Sequence, residues 1–351
     1  MIRFFRRQRV AVATVAVGVL AIGTLGAGTA GAQGSEVNIS GSSTVEPITS
    51  LMAELYAEEA PDATIRVDGP GTGDGFQLFC NDETDVSDAS RPIDEEEVTA
   101  CEDSGVEYTE LPVGIDGLTV VANNASKVKC LSFADLYAIF GPESGGGEVD
   151  LADASALATE LGGSKAPTSG SVQKFTPGAE SGTYDSFIEI AYEDLMGERL
   201  EAGDIPADKV GTNDEGEAEV VEPLLAAGTF PNDNEIVKRV EGTEDGLGFF
   251  GFAYFQENEG DLKAVAIENP ETGTCVKPTA KTIRNGSYPI ARTLYIYPNN
   301  ANVGDNSTLE EFLDFYMTKK NLTSTVEQAG YVPMSSSDIQ ASIDAWKGLA
   351  G

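Results

Sequence analysis

Residues 37–59 read VNISGSSTVEPITSLMAELYAEE, and this stretch decides the fold class. Val37-Asn38-Ile39 is a short strand followed by a Ser/Gly turn. From Pro47 to Glu59 the apolar side chains Ile48, Leu51, Met52, Leu55 and Tyr56 recur at helical spacing, and proline suits a first helical turn. The pattern then repeats. Ala63 to Val67 alternates as a second strand, Gly71 to Gly75 is a glycine-rich turn, and Phe76, Leu78 and Phe79 open a second helix. Strand–helix alternation predicts an α/β fold with a mostly parallel sheet.

Working outward, Leu118 to Ala122 is a buried-type strand and Phe133 to Phe140 a short helix. Gly145 to Gly147 and Ala152 to Ser171 look like polar loops. Tyr184 to Ala191 is helical, Leu247 to Phe255 a core strand with a turn, and Ala264 to Ile267 a further strand. Leu294 to Tyr297 is a strand, and Thr308 to Thr318 a helix with Leu309, Phe312, Leu313 and Tyr316 on its core face.

The 351 residues suffice for two ordinary domains, and 41% hydrophobic with 23% charged side chains is a globular balance. Histidine is absent, which excludes Ser-His-Asp and Cys-His catalysis and the HExxH zinc site. With 58 acidic against 22 basic side chains the net charge is -36, so no basic surface exists to neutralise nucleic-acid phosphates. Such acidity suits a saline external medium. Asp94-Glu95-Glu96-Glu97 is a solvated helix start, the calcium-site alternative lacking an EF-hand pattern.

Arg3, Arg6, Arg7 and Arg9, an uncharged run from Val10, and Ala30-Gly31-Ala32 form a secretory signal over residues 1–32. The alternative is an uncleaved membrane anchor. Cleavage after Ala32 removes four arginines and no acid, so the mature charge is -36 - 4 = -40. No cysteine lies near that point to carry a lipid. The four cysteines, Cys80, Cys101, Cys130 and Cys275, allow three disulfide pairings in an exported protein. We expect Cys80 with Cys101, a short local loop, and Cys130 with Cys275, which joins distant segments. No CxxC spacing supports a metal site.

Three segments place Ser, Thr and Gly just before an apolar helical run: Ser40-Gly41-Ser42-Ser43-Thr44-Val45, Gly71-Thr72-Gly73-Asp74-Gly75, and Glu180-Ser181-Gly182-Thr183. Each by itself is an ordinary capped helix. Three such N-termini converging on one point would present unpaired N–H groups and positive dipole ends to an anion. A fourth segment, from Asp85 to Ile93 (DVSDASRPI), sets Ser90 beside Arg91, whose planar fork grips oxyanions.

The order and spacing of SGSSTVEP, GTGDGF, DVSDASRPI and SGTYDSF, continued by VGIDGLTVVANN, GLGFFGFAYF and YPIARTLYIY, resemble the phosphate-binding proteins of bacterial ABC transporters. The resemblance implies a type II periplasmic-binding-protein fold, an α/β protein of two lobes with a ligand cleft between them. Two crossing strands near Leu111–Gly117 and Tyr288–Leu294 would join the lobes, which span residues 33–114, 115–289 and 290–351, the first being discontinuous. It further implies a monomeric, exported, non-enzymatic protein without cofactor or metal. That protein captures inorganic phosphate and hands it to a membrane permease. The alternative is another oxyanion, such as sulfate or molybdate. By the same resemblance Ser43, Thr44 and the Val45 N–H, Thr72, Ser90, Ser181, Gly182 and Thr183 hold the anion. Pro177 stands where many members carry an arginine, and Ser90 where some carry an aspartate. Arg91 then supplies the positive charge, and Asp88 or Asp74 accepts the phosphate proton.

Overall fold

The computed structural model describes residues 36–179, 181–213 and 218–350. The export signal expected over residues 1–32 lies outside them.

Two strands organise the molecule. The strand Leu111–Asn123 is 13 residues long and buried along nearly its whole length, which is why its apolar residues run almost continuously instead of alternating. Its first part pairs antiparallel with Ala291–Pro298, Leu111 facing Ile296 and Gly117 facing Ala291. Its second part pairs antiparallel with Gly246–Gly251, through Leu118 to Ala122. One strand therefore belongs to both halves of the sheet.

The main sheet runs Gly228–Phe230, Ser171–Pro177, Gly246–Gly251, Leu111–Asn123, Ala291–Pro298, Val86–Ala89, Glu36–Gly41, Thr64–Asp68. Leu262–Ala264 and Glu148–Asp150 are attached at its sides. The expectation of a mostly parallel sheet needs correction. Pairing is parallel at the two ends and antiparallel in the middle. The chain leaves the first half on Leu111–Asn123 and returns on Ala291–Pro298, so these neighbours must run in opposite directions.

In the first half, the helix Glu46–Glu59 buries Ile48, Met52 and Tyr56 at four-residue spacing. It packs on the helix Ser307–Tyr316, the Tyr56 and Phe312 rings 5.5 Å apart. The next helix begins at Thr72, so the glycines expected to form a turn lie inside its first coil. Only Gly71, at φ +127°, stands outside as its cap. The Asp94–Glu97 run does start a helix, Glu95–Ser104, with Asp94 and Glu97 closing a capping box.

The second half holds the larger departures. Leu151–Glu160, expected as loop, is a helix capped by Asp150. Leu151, Ala154, Ser155 and Ala158 are buried at helical spacing, a periodicity hidden by their small side chains. After Gly251 the expected turn is a helix, Phe252–Glu257. The single strand expected from Ala264 to Ile267 breaks at Val265 into Leu262–Ala264 and Ala266–Asn269, which pair with different partners. Phe187 stacks on Phe249 at 3.8 Å and meets Phe140 edge-on, which anchors the helix Gly182–Ala191. Lys174 is fully buried and donates to the Ile139 and Gly145 carbonyls and the Ser144 hydroxyl, at 2.7, 2.8 and 2.8 Å.

Cys80 is bridged to Cys101 and Cys130 to Cys275. Among the described residues no helix is long and apolar enough to cross a membrane.

Candidate functional site

Strand ends and helix starts from both halves face each other across the pair of spanning strands. On the first side two turns approach very closely. A Cβ on Gly75 would sit 2.4 Å from the Gly41 Cα, and one on Gly41 would sit 2.1 Å from the Asp88 carbonyl oxygen. Glycine at 41 and 75 is thus what allows SGSSTV, GTGDGF and DVSDASR to gather at one edge of the sheet.

Beside this junction lies a cavity of about 590 Å³, within the ordinary range for small-ligand pockets. Its wall is built by Gly71, Thr72 and Asp74, by Ser90 and Arg91, by Glu189 and Glu193 of the second half, and by Arg292 and Tyr295 on a spanning strand. The Thr72 and Ser90 hydroxyls lie 3.0 Å apart, and the Ser90 N–H donates to Thr72 Oγ1 at 3.2 Å, so the two are held as a unit.

Thr44 and Ser43 lie at the seam between the halves. Thr44 Oγ1 is 2.9 Å from Ser186 Oγ, and Ser43 donates to Asp185 at 3.2 Å. Gly182 lies against the same turn, where a Cβ would stand 3.0 Å from the Ser43 carbonyl oxygen. Ser181 caps its own helix by accepting the Thr183 N–H at 3.3 Å. Ser181, Gly182 and Thr183 belong to this seam and do not line the cavity. The Val45 N–H, expected to point at an anion, instead donates to the Ser42 carbonyl at 3.0 Å, inside its own turn.

Two further expectations are corrected. Asp88 is fully buried on the side of the sheet where Thr49 and Tyr316 pair, away from the cavity. The Thr49 hydroxyl is the only donor acting on the carboxylate among the described residues, and it makes no well-formed bond; burial outweighs it and pushes the Asp88 pKa up to about 8. Its proton stays on at neutral pH, so it cannot accept another from a ligand. Arg91 does reach the cavity wall, but its fork is bound by Glu97 through two 2.7 Å bonds. Glu97 is fixed in turn by the helix cap. Arg91 therefore brings a charge that is already largely neutralised.

The cation missed in the sequence is Arg292. It lies on the spanning strand opposite Asp116, and its Nη2 donates to Thr44 Oγ1 at 3.2 Å and Ser186 Oγ at 3.0 Å. Its Nη1 contacts Glu189. The planar fork that drew notice to Arg91 belongs equally to Arg292, inside YPIARTLYIY. Nothing local marks its partners, which are 106 and 248 residues away. Burial raises the Asp116 carboxyl above its usual range against the pull of Arg292, and burial with nearby Glu189 raises Glu193. Among the described residues no group of three or more acids, histidines or cysteines could hold a metal.

Two α/β halves joined by two strands, with a cavity at their junction that hydroxyl, carboxylate and guanidinium groups line, define the class of two-domain solute-binding proteins. A family model described as PBP superfamily domain matches residues 26–320. Protein SphX of Synechococcus elongatus is 33% identical over 304 residues, covering 86% of this chain and 79% of its own. The phosphate-binding protein PstS of Staphylococcus haemolyticus is 34% identical over 298 residues, covering 85% and 80%. The crystal structure of a possible phosphate-binding protein from Planctomyces limnophilus superposes with a TM-score of 0.75 at 30% identity, over 91% of this chain and 99% of that one. An ABC-type phosphate transport receptor from Vibrio cholerae shares the fold, with a TM-score of 0.56 at 22% identity over 85% of this chain. The chain belongs to the PBP superfamily and, within it, to the PstS and SphX family.

Proposed function

We propose that this protein is exported, captures inorganic phosphate in the cleft between its halves, and delivers it to an ABC permease. The observation that carries the reading is one cavity walled by the Thr72–Ser90 hydroxyl pair and by two guanidinium groups, in a chain of the PstS and SphX family. Hydroxyls and guanidinium groups are donors, and a tetrahedral oxyanion is an acceptor on every face. The lobes are taken as residues 33–114 with 290–351, and 115–289. The partner change of the long strand at Leu118 supports that division. Of the ligand set, Thr72, Ser90 and Arg91 stand on the cavity wall, with Asp74 taking the proton-acceptor role that buried Asp88 cannot fill, while Ser43, Thr44, Ser181, Gly182 and Thr183 belong to the seam beside it and would reach the anion from there. The role is binding and transfer, not catalysis.

Calorimetric titration of the purified chain in phosphate-free buffer tests this. Saturable heat with phosphate, poorly displaced by sulfate or molybdate, is expected. No heat with phosphate would overturn the reading, and preferential displacement by sulfate or molybdate would replace it with the other oxyanion.

A further inference from the structure

Arg292 is bonded in a way that leaves part of it unmet. Its side chain is only 15% exposed, and that of Asp116 5%. Arg292 Nε and Asp116 Oδ2 lie 3.9 Å apart, too far for a hydrogen bond, and neither has another partner among the described residues. A buried donor facing a buried acceptor across such a gap is a costly arrangement for both. The Asp116 carboxyl also feels the Ser186 hydroxyl, so Arg292, Asp116, Ser186 and Thr44 form one cluster in which the Nε edge of the guanidinium is the unsatisfied part.

The members of this cluster come from three places. Asp116 faces Arg292 across the paired spanning strands. Thr44 precedes the helix Glu46–Glu59 of one half, and Ser186 lies on the helix Gly182–Ala191 of the other. Their hydroxyls are 2.9 Å apart only while those elements meet. The remaining edge of the guanidinium, at Nη1, is held on the cavity wall by Glu189, a side chain 39% exposed. An oxyanion of two charges can displace one half-exposed carboxylate from that edge, whereas the fork of Arg91 is held from both nitrogens by Glu97.

We propose that Arg292 is a ligand-binding and closure-determining residue of the cleft. Its guanidinium contacts the bound tetrahedral oxyanion in place of Glu189 and latches Thr44 to Ser186, with Asp116 as its positioning residue. The inference rests on the phosphate reading above and goes beyond it by assigning the charge that holds the ligand.

The test uses the full chain, inorganic phosphate as probe, calorimetry for affinity, and X-ray scattering with and without phosphate for closure. Arg292→Met is expected to bind phosphate at least about tenfold more weakly, the loss of one charge-assisted hydrogen bond, and to contract less on adding phosphate. Arg66→Met removes the same charge from an exposed strand edge paired with Glu36 and is expected to bind like the wild type. Arg292→Lys, which keeps the charge, covers the case of a poorly folding methionine variant and is expected to bind more weakly than wild type. Asp116→Asn should weaken binding severalfold, and no further in the Arg292→Met background, since coupled residues are not additive. Arg292→Met, or Arg292→Lys if the former does not fold, binding within about twofold of wild type would overturn the assignment. Additive losses in the double variant would overturn the role of Asp116. A wild-type protein that binds no phosphate would overturn the phosphate reading, and this inference with it.

Discussion

Asp88 carries an acid in a place that tolerates only its neutral form. Its pKa of about 8 lies far above that of the same group in an unfolded chain. Between about pH 4 and 8 the unfolded chain has released a proton that the folded one keeps. Stability from this group is complete below that window and is lost as pH rises through it, with a slope of up to about 1.4 kcal/mol per pH unit. Asp88→Asn removes the titration, so its melting temperature should gain on the wild type steadily as pH rises across the window. Parallel profiles would show that the carboxyl is not held neutral. Asp74 lies on the open cavity wall. Hydrogen phosphate offers a proton to such an acceptor and sulfate does not. Asp74→Asn should cost phosphate about tenfold in affinity while sulfate binds as well or better. Unchanged preference in a competition titration would move the acceptor elsewhere.

Among the secondary-structure elements, the strand–turn–helix stretch from Val37 to Glu59 was legible because both of its periods are strong. Leu151–Glu160 was not, because alanine and serine occupy most of its buried face and leave no contrast in hydropathy. The hydroxyl–glycine grammar picked out turns that the fold brings to the junction of the halves, but not what their N–H groups do. Those of Thr44, Val45 and Thr183 are used within their own turns, which depends on backbone angles that residue type does not dictate. Arg292 was passed over because its bonds are made to residues brought near only by the completed sheet. The helix Gly182–Ala191 approaches the opposing turn through Gly182, where 3.0 Å is all the room a Cβ would have. Gly182→Val should force the seam apart and weaken phosphate binding by about tenfold, with little change in the melting temperature. Wild-type affinity in that variant would mean that the seam can open without loss of binding.

Across the whole molecule, an anion must approach a chain of net charge -36. Surface charges are screened beyond roughly 8 Å at physiological salt but act over about 30 Å at 0.01 M. The phosphate on-rate should therefore rise severalfold between those salt concentrations, while local donors hold the bound ligand in both. Stopped-flow mixing would measure it, and a rate that falls with added salt would show that the arginines at the cavity dominate the field.

The two sulfur bridges are placed with a consequence for motion. Cys80–Cys101 staples segments that precede the long spanning strand, and Cys130–Cys275 staples segments lying between the two spanning strands. Neither straddles the cleft. Oxidation can thus stiffen each jaw separately and leaves the passage between them to two ribbons of backbone and the side chains that meet at the seam.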